Sequence, residues 1–306
     1  MEYSFQRYLL AKRSVDDRSL NGRIWEQFSQ ILQSAQQIQR ASLIEIGAGI
    51  GTMFQRLTSS GLLRNAEYTA LDSQSENVHF ALETLPGWAG NQGGMVKPHP
   101  AGFALHTSHA KIDLIFEETD IFQFIPTVRG RKTWDFLLAH AFLDLVNVLT
   151  TLPQLCSIVR PGGLMYFTIN FDGLTIFEPA FDPALDEAIQ AAYHRTMDER
   201  LREGKCSGNS RSGRRMFHWL QTAGCETIEA GSSDWVVFPR NGKYPEDEGY
   251  FLHFIIHTVA EALKNNSEID PERLAAWESF RHRQIEQAEL VYIAHQMDFL
   301  VRTPLV

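Results

Sequence analysis

Several short, mainly apolar runs along the chain predict buried strands. They cover residues 43–46, 66–71, 112–117, 134–139 and 164–169. Each run has the length of a strand, and each ends at a glycine or at a polar residue. Ligands of open α/β sheets bind beyond the carboxyl ends of the strands. The residues that follow these runs are therefore the first candidates for a functional site.

The chain before the first run predicts helices. Apolar residues recur at helical spacing, including Ile24, Phe28 and Leu32, so an N-terminal helical segment is expected over residues 1–41. A charged stretch at 12–18 precedes them, and such a stretch is typical of a solvated helix face.

The chain after the fifth run predicts a cap and then further helices and strands. An insertion at about 173–209, with a helix through Ile189 and Tyr193, follows the carboxyl end of a strand and is expected to cover a substrate. Beyond it, the patterns predict a helix at 213–224, a strand at 226–230, helices at about 247–264 and 271–287, and a last strand at 289–301.

One segment inside the first half shows little periodicity. Residues 86–109 are rich in glycine, proline and histidine, which predicts a loop inserted before the third strand. A helix of a βαβ unit returns the chain to the amino ends of the strands, so this loop is expected on the face away from the chemistry.

The stretch 43–52 carries the most specific motif. Three alternating glycines, Gly47, Gly49 and Gly51, follow the strand, and Glu45 lies two residues before the first of them. Glycines allow a tight turn and a close approach of the backbone to a ligand. A dinucleotide-binding turn requires G-x-G-x-x-G, and Thr52 occupies the place of its third glycine. A purely structural strand-to-helix turn is the alternative.

This turn and three later features resemble the class I S-adenosylmethionine-dependent methyltransferases over residues 42–171. Asp72 ends the second strand, about 20 residues after the glycines, where an acid accepts from the ribose hydroxyls; capping of the next helix is the structural alternative, and the two roles are compatible. Asp120 and Ile121 follow the third strand, where the family binds adenine, although Glu118 competes for that role. A Pro-Gly-Gly at 161–163 precedes the fifth strand, as in these enzymes.

The resemblance implies an α/β fold: a Rossmann-like, doubly wound, seven-stranded sheet, mostly parallel with an antiparallel last strand, plus a small helical cap. The catalytic domain would span residues 42–306, with the last strand inserted between the fifth and sixth. The implied cofactor is S-adenosyl-L-methionine. Its expected contacts are Glu45, Gly47, Ala48, Gly49, Asp72, Ser73, Asp120, Ile121, Ala139 and His140. In related folds the N-terminal segment covers the cofactor, so Lys12 or Arg18 is a candidate partner for its carboxylate.

Methyl transfer requires mainly that the acceptor and the methyl carbon be held in line. His140, after the fourth strand, is the candidate general base, with a positioning role as the alternative. Asp144 lies one helical turn later and would orient His140 or cap a helix. Asp172, after the fifth strand, is the second catalytic candidate and would orient the acceptor. Trp235 would either stack on a planar substrate or belong to the core.

Composition narrows the partners. The 306 residues carry a formal net charge of −9, which argues against nucleic acid and anionic membranes as partners. The three cysteines lack metal-ligand or disulfide spacing, so no metal site is predicted and reduced thiols are expected. No apolar stretch has the length of a membrane span, which leads us to expect a cytoplasmic protein.

Three functions follow, with methyl transfer to a small molecule first. The segment 139–142 lacks the Asn/Asp-Pro-Pro-aromatic motif of enzymes that methylate amide or base nitrogens, so a small, partly apolar acceptor is expected. The alternatives are an NAD-dependent oxidoreductase and a non-catalytic binding protein of the methyltransferase fold. A homodimer is compatible with the sequence.

Overall fold

The structure is a computed structural model that describes residues 2–202 and 204–305. The helices are α1 (Phe5–Ser19), α2 (Gly22–Ile38), α3 (Thr52–Ser59), α4 (Ser75–Asn91), α5 (Ile121–Val128), α6 (Val148–Cys156), α7 (Pro183–Asp198), α8 (Ser212–Thr222), α9 (Glu248–Leu263) and α10 (Pro271–Glu286), with a short 3₁₀ turn at Leu143–Leu145. The strands are β1 (Ala41–Ile46), β2 (Asn65–Asp72), β3 (Met95–His99), β4 (Gly102–His106), β5 (Lys111–Glu118), β6 (Trp134–His140), β7 (Val159–Glu178), β8 (Leu201–Arg202), β9 (Lys205–Cys206), β10 (Glu226–Ser232), β11 (Trp235–Val237) and β12 (Val291–Arg302).

A mixed sheet forms the centre of the fold. Its strand order is β10-β12-β7-β6-β1-β2-β5-β4-β3, and β11 pairs with β12. The five strands from β5 to β7 are parallel, whereas β12 runs antiparallel between β7 and β10. The insertion of the last strand between the fifth and sixth strands of the predicted set is therefore confirmed. The predicted number was wrong, because the sheet has ten strands instead of seven.

Both faces of the sheet are covered by helices, as predicted. Apolar side chains of α2, α3 and α4 pack on one face, around Phe28, Phe54 and Tyr68. Those of α5, α6 and α8 pack on the other face, around Trp134 and Phe167. Alternate residues of a strand point to opposite faces, so Leu43 belongs to the first core and Ile44 to the second.

The segment 86–109 is not the predicted loop. Helix α4 continues through Pro86 to Asn91, and β3 and β4 then form a hairpin. Strand β4 pairs antiparallel with β5, which supplies partners for backbone groups that would otherwise lie at the edge of the sheet. Phe103 and Leu105 alternate into the core beneath this hairpin. The signal in the sequence is weak, because only two apolar residues alternate among glycines and histidines.

The cap also differs from its predicted bounds. Strand β7 does not end near residue 170 but continues to Glu178, because β12 pairs with it from Leu164 to Glu178. The cap helix α7 starts at Pro183, and helices α1, α9 and α10 pack with it around a separate apolar core that includes Phe251 and Trp277. The cap is therefore assembled from both ends of the chain and from the insertion. Among the described residues, no helix has the length and apolar character to cross a membrane.

A buried ion pair joins two helices of the cap. Arg281 of α10 is fully buried, and its Nη2 lies 2.6 Å from Oδ1 of Asp186 in α7. Trp277 Nε1 donates to the same oxygen at 2.8 Å. The charge of Arg281 is thus compensated only while Asp186 is present.

We expect Asp186→Ala to lower the free energy of unfolding by about 3–5 kcal/mol, because it leaves the Arg281 charge buried without a partner. Urea denaturation followed by circular dichroism measures this. Glu261→Ala is the control, since its pair with Lys264 is exposed, and it should leave the unfolding midpoint unchanged. A loss in Asp186→Ala no larger than that of the control would contradict the assignment.

Candidate active site

A cavity of about 800 Å³ opens at the carboxyl ends of β1, β2 and β6. Its volume lies in the range of small-molecule sites. Residues at helical spacing on α1, α7 and α9 line it, for example Tyr193, Met197 and Arg200 of α7 and its following turn. Alternate residues of β12, from Tyr292 through Ala294 to Gln296, line the far wall. The sheet thus supplies one side of the cavity and the cap supplies the other.

The glycine turn forms one end of the cavity. Gly47, Gly49 and Gly51 have φ angles of 65°, 57° and 82°, which L side chains rarely adopt. Ala48 N donates to Leu71 O at 2.9 Å and ties the turn to β2. Gly51 then caps the first turn of α3. Gly47, Ala48 and Gly49 all line the cavity, as the sequence predicts for cofactor contacts.

Asp72 holds the same turn from the neighbouring strand. Its Oδ2 accepts from Gly49 N at 2.7 Å, and its Oδ1 accepts from Gln74 N at 2.9 Å and from Asn77 Nδ2 at 3.2 Å. Burial raises the pKa of this carboxyl group. A carboxylate has about four acceptor positions, of which three are occupied. Asp72 can therefore accept from one further hydroxyl without rearrangement, and Ser73 lies beside it in the cavity wall.

Glu45 is fully buried at the base of the turn. Tyr68 OH donates to its Oε2 at 2.7 Å. Burial raises the pKa of Glu45 to about 8, so its side chain is mainly protonated at neutral pH. Glu45 reaches the cavity wall, where a protonated carboxyl group is able to donate as well as accept a hydrogen bond.

His140 lies at the end of β6 with both ring nitrogens occupied. Nε2 is 2.9 Å from Asp16 Oδ2, and Nδ1 is 2.7 Å from Thr168 Oγ1. A carboxylate only accepts, so Nε2 carries the proton and Nδ1 accepts from the Thr168 hydroxyl. Burial lowers the pKa of His140 to about 4, although the charge of Asp16 opposes this shift. Neither nitrogen is free to take a proton from an acceptor in this arrangement.

Asp16 connects helix α1 to the sheet. Lys12 Nζ lies 2.6 Å from Oδ2 of Asp16, and Trp235 Nε1 donates to Oδ1 at 2.9 Å. Burial alone would raise the pKa of Asp16, but Lys12 and His140 outweigh it and hold the pKa below its ordinary value. The prediction of a solvated charged face was wrong for Lys12 and Asp16, which are both buried. Lys12 lines the cavity, whereas Arg18 pairs with Glu248 elsewhere in the cap.

Other predicted site residues do not line the cavity. Asp120 caps α5 by accepting from Phe122 N at 2.8 Å, and its other oxygen pairs with Arg202. Ile121 and Ala139 are buried in the core. Asp172 accepts from Arg214 N at 2.8 Å and from its Nε at 2.9 Å. The structure therefore places Asp172 in an ion pair outside the cavity, because β7 continues past this residue instead of ending before it.

Two residues with unusual backbone conformations line the cavity. Ala141 and Ile169 have φ angles of 51° and 57°. Positive φ is uncommon for any residue other than glycine, and for the β-branched Ile169 it is an outlier. Ile169 N donates to Asp298 Oδ1 at 2.8 Å, which holds the strand in this conformation. Burial raises the pKa of Asp298 to about 6. Strained backbone tends to concentrate at functional sites, and the sequence carried no signal for it.

Comparisons with known proteins give only distant similarities. No protein-family model matches the chain, and no related sequence is found among curated proteins. An S-adenosylmethionine-dependent methyltransferase from Thiobacillus denitrificans, solved with S-adenosyl-L-homocysteine, is 12% identical over 98% of this chain and 99% of that one, with a TM-score of 0.45. A cyclopropane synthase from Mycobacterium tuberculosis is 10% identical over 86% and 78% of the two chains, with a TM-score of 0.44. At TM-scores below 0.5, neither similarity establishes the activity of this chain.

The environment of His140 predicts a loss of stability in acid. Its ordinary pKa is 6.5, against about 4 in the folded state, so the unfolded chain binds the additional proton between these values. The contribution to stability is complete above about pH 6.5 and is lost as the pH falls towards about 4. His140→Gln keeps a donor for Asp16 but does not titrate.

We therefore expect the free energy of unfolding of the parent chain to fall, relative to His140→Gln, by an amount on the order of 2 kcal/mol from about pH 7 to about pH 4.5. Urea denaturation at several pH values measures the difference. Parallel pH dependences of the two proteins would show that His140 is not held neutral by the fold.

Proposed function

We propose that this chain is an S-adenosylmethionine-dependent methyltransferase that acts on a small-molecule acceptor. The observation that carries this proposal is the position of the glycine turn and Asp72, which lie at adjacent strand ends and open into the same cavity as an aromatic pocket beneath the cap. We call this second part the acceptor pocket; it is lined by Phe171, Tyr193, Trp235, Tyr292 and Gln296. One cavity thus offers space for two ligands side by side.

The residues of the first part fit the proposed cofactor. Gly47 and Gly49 bring the backbone to the cavity wall, where a ligand can approach closely. Asp72 retains one acceptor position for a ribose hydroxyl, and Glu45 and Lys12 offer polar groups to the remainder of the ligand. When bound, the cofactor would supply a methyl group on a positively charged sulfur. The protein would hold the acceptor in line with that group and exclude water.

The contacts of His140 support a positioning role. Through Asp16 it joins β6 to α1, which closes one side of the cavity. In-line displacement by an acceptor with a free electron pair needs no general base. We propose that His140 keeps α1 in place and presents its backbone to the cofactor, while Asp172 stabilises the strand by its pair with Arg214.

Binding of adenine by Asp120 and Ile121 also stays part of the proposal. Asp120 is paired with Arg202, whose guanidinium lies 4.5 Å from the centre of the Phe122 ring. The adenine role would require Arg202 to leave Asp120 or to share it with the ligand. A cytoplasmic location and a homodimer stay predictions from the sequence.

The NAD-dependent alternative is disfavoured by the start of α3. Thr52 is the first residue of that helix and occupies the place of the third glycine of a dinucleotide-binding turn. That glycine allows close packing of helix and strand in dinucleotide-binding folds. A methyltransferase and an NAD-dependent oxidoreductase therefore predict different ligands for this turn, S-adenosyl-L-homocysteine in the first case and NADH in the second.

We expect calorimetric titration to show binding of S-adenosyl-L-homocysteine but not of NADH. Asp72→Asn should weaken this binding by roughly 1–3 kcal/mol, because the carboxylate is a buried acceptor. Asp113→Asn is the control; it neutralises a carboxylate of β5 that pairs with Arg40 outside the cavity, and it should leave the affinity unchanged. Binding of NADH alone would favour the oxidoreductase. Binding of neither ligand would favour a non-catalytic scaffold.

A further inference from the structure

The walls of the acceptor pocket are mainly aromatic. Phe171 and Tyr292 come from the long paired strands, Tyr193 from α7 and Trp235 from β11, and Tyr8 of α1 also lines the cavity. Trp235 does not belong only to the core, because its ring lines the cavity while its Nε1 is bound to Asp16. Aromatic faces carry negative electrostatic potential and attract cations.

Asp144 differs from the other carboxyl groups that line the cavity. Glu45 accepts from Tyr68, Asp72 accepts three hydrogen bonds, and Glu76 accepts from Ser75 Oγ. The carboxyl group of Asp144 accepts no hydrogen bond from another described residue, and its buried Oδ1 has no partner at all. It lies in the 3₁₀ turn that follows β6 and lines the cavity, and its charge contributes to the raised pKa of Tyr193 in the acceptor pocket. Asp144 as a whole is half-buried, but its Oδ1 is shielded from water without a partner, a cost that a ligand with a donor group would remove.

Further polar atoms without partners line the same cavity. Gln296 is 2% exposed, and its Oε1 is buried without a hydrogen bond. Within the described part of the chain, the hydroxyls of Tyr8, Tyr193 and Tyr292 make no side-chain hydrogen bond either. Burial is the main cause that raises the pKa of each of these tyrosines, so all three hydroxyls stay neutral. The free atom of Gln296 is an acceptor and the three neutral hydroxyls are able to accept as well, which suits a ligand that donates hydrogen bonds.

Neither of the two basic side chains that reach the cavity forms an ion pair with Asp144 among the described residues. Lys12 is held 2.6 Å from Asp16, so its charge is already paired. Arg200 is exposed to solvent beyond the end of α7. Burial raises the pKa of Asp144, whereas its own amide, Arg200 and Lys12 act in the opposite direction. A cationic ligand beside Asp144 would add to the effect of the two basic groups and favour its ionised form.

We propose that the acceptor is an amine, bound as its ammonium form by Asp144 between the aromatic walls of the acceptor pocket. This inference rests on the proposed methyl transfer. Asp144 would accept a proton from the ammonium group and release the nitrogen electron pair. That pair forms the new N–C bond while the C–S bond of the cofactor breaks, with its electrons left on sulfur. The products are a methylated ammonium ion and the neutral thioether, and the proton stays on Asp144 until solvent removes it.

Matched probes test the charge requirement directly. Benzylamine and benzyl alcohol have nearly the same shape, but only the amine is cationic at neutral pH. We expect benzylamine to bind about tenfold or more tightly than benzyl alcohol to the chain saturated with S-adenosyl-L-homocysteine, as measured by calorimetry. Equal affinities, or tighter binding of the alcohol, would overturn the proposal without reference to any variant.

Two variants then assign the preference to a residue. Asp144→Asn keeps the size of the side chain and should remove the preference for the amine. Glu76→Gln also neutralises a carboxyl group in the cavity wall, but at the start of α4, and should retain the preference. Retention of the preference in folded Asp144→Asn would overturn the assignment, as would a loss of affinity for S-adenosyl-L-methionine with no change in the ratio of the two probes. Failure of S-adenosyl-L-homocysteine to bind would instead contradict the proposed function, and the probe ratio of the free chain would still decide the role of Asp144.

Discussion

The site depends on the contacts that the buried carboxylate of Asp16 makes with three other side chains. This carboxylate contacts Lys12 within α1, His140 at the end of β6 and Trp235 in β11. These three partners come from distant parts of the sequence, and each supplies a wall of the cavity. These three partners compensate the cost of burying the charge of Asp16, because an unpaired charge in the interior is strongly unfavourable. The same requirement fixes the N-terminal helix over the glycine turn.

Two carboxyl groups near the turn have different environments and, in consequence, different roles. Glu45 is largely protonated beside Tyr68, whereas Asp72 accepts one hydrogen bond from Gly49 of the turn and two from the start of α4. Asp144 also lines the cavity, but its Oδ1 has no partner. The first two carboxyl groups are thus fixed by partners within the protein, and the third keeps an unpaired oxygen. This difference in hydrogen-bond partners distinguishes the carboxyl groups of the proposed cofactor site from that of the proposed acceptor site.

The cap shows how distant segments create a second core. Helices from the start of the chain, from the insertion and from the region before the last strand pack together, and the pair formed by Arg281 and Asp186 lies between two of them. Strands β7 and β12 extend beyond the parallel sheet and form the surface on which these helices rest. The acceptor pocket lies where this second core meets the sheet, so its shape depends on the packing of the cap.

The sequence by itself determined the parallel strands, the glycine turn, the position of Asp72 and the place of the last strand, because these features rest on local patterns and fixed spacing. Only the tertiary structure decided which polar residues are free. His140 and Asp172 are occupied by Asp16 and Arg214, and Asp144 is not. It also decided that β4 pairs with β5 and that β7 continues beside β12. These outcomes depend on contacts between residues far apart in the chain, for which a single sequence carries no periodic signal.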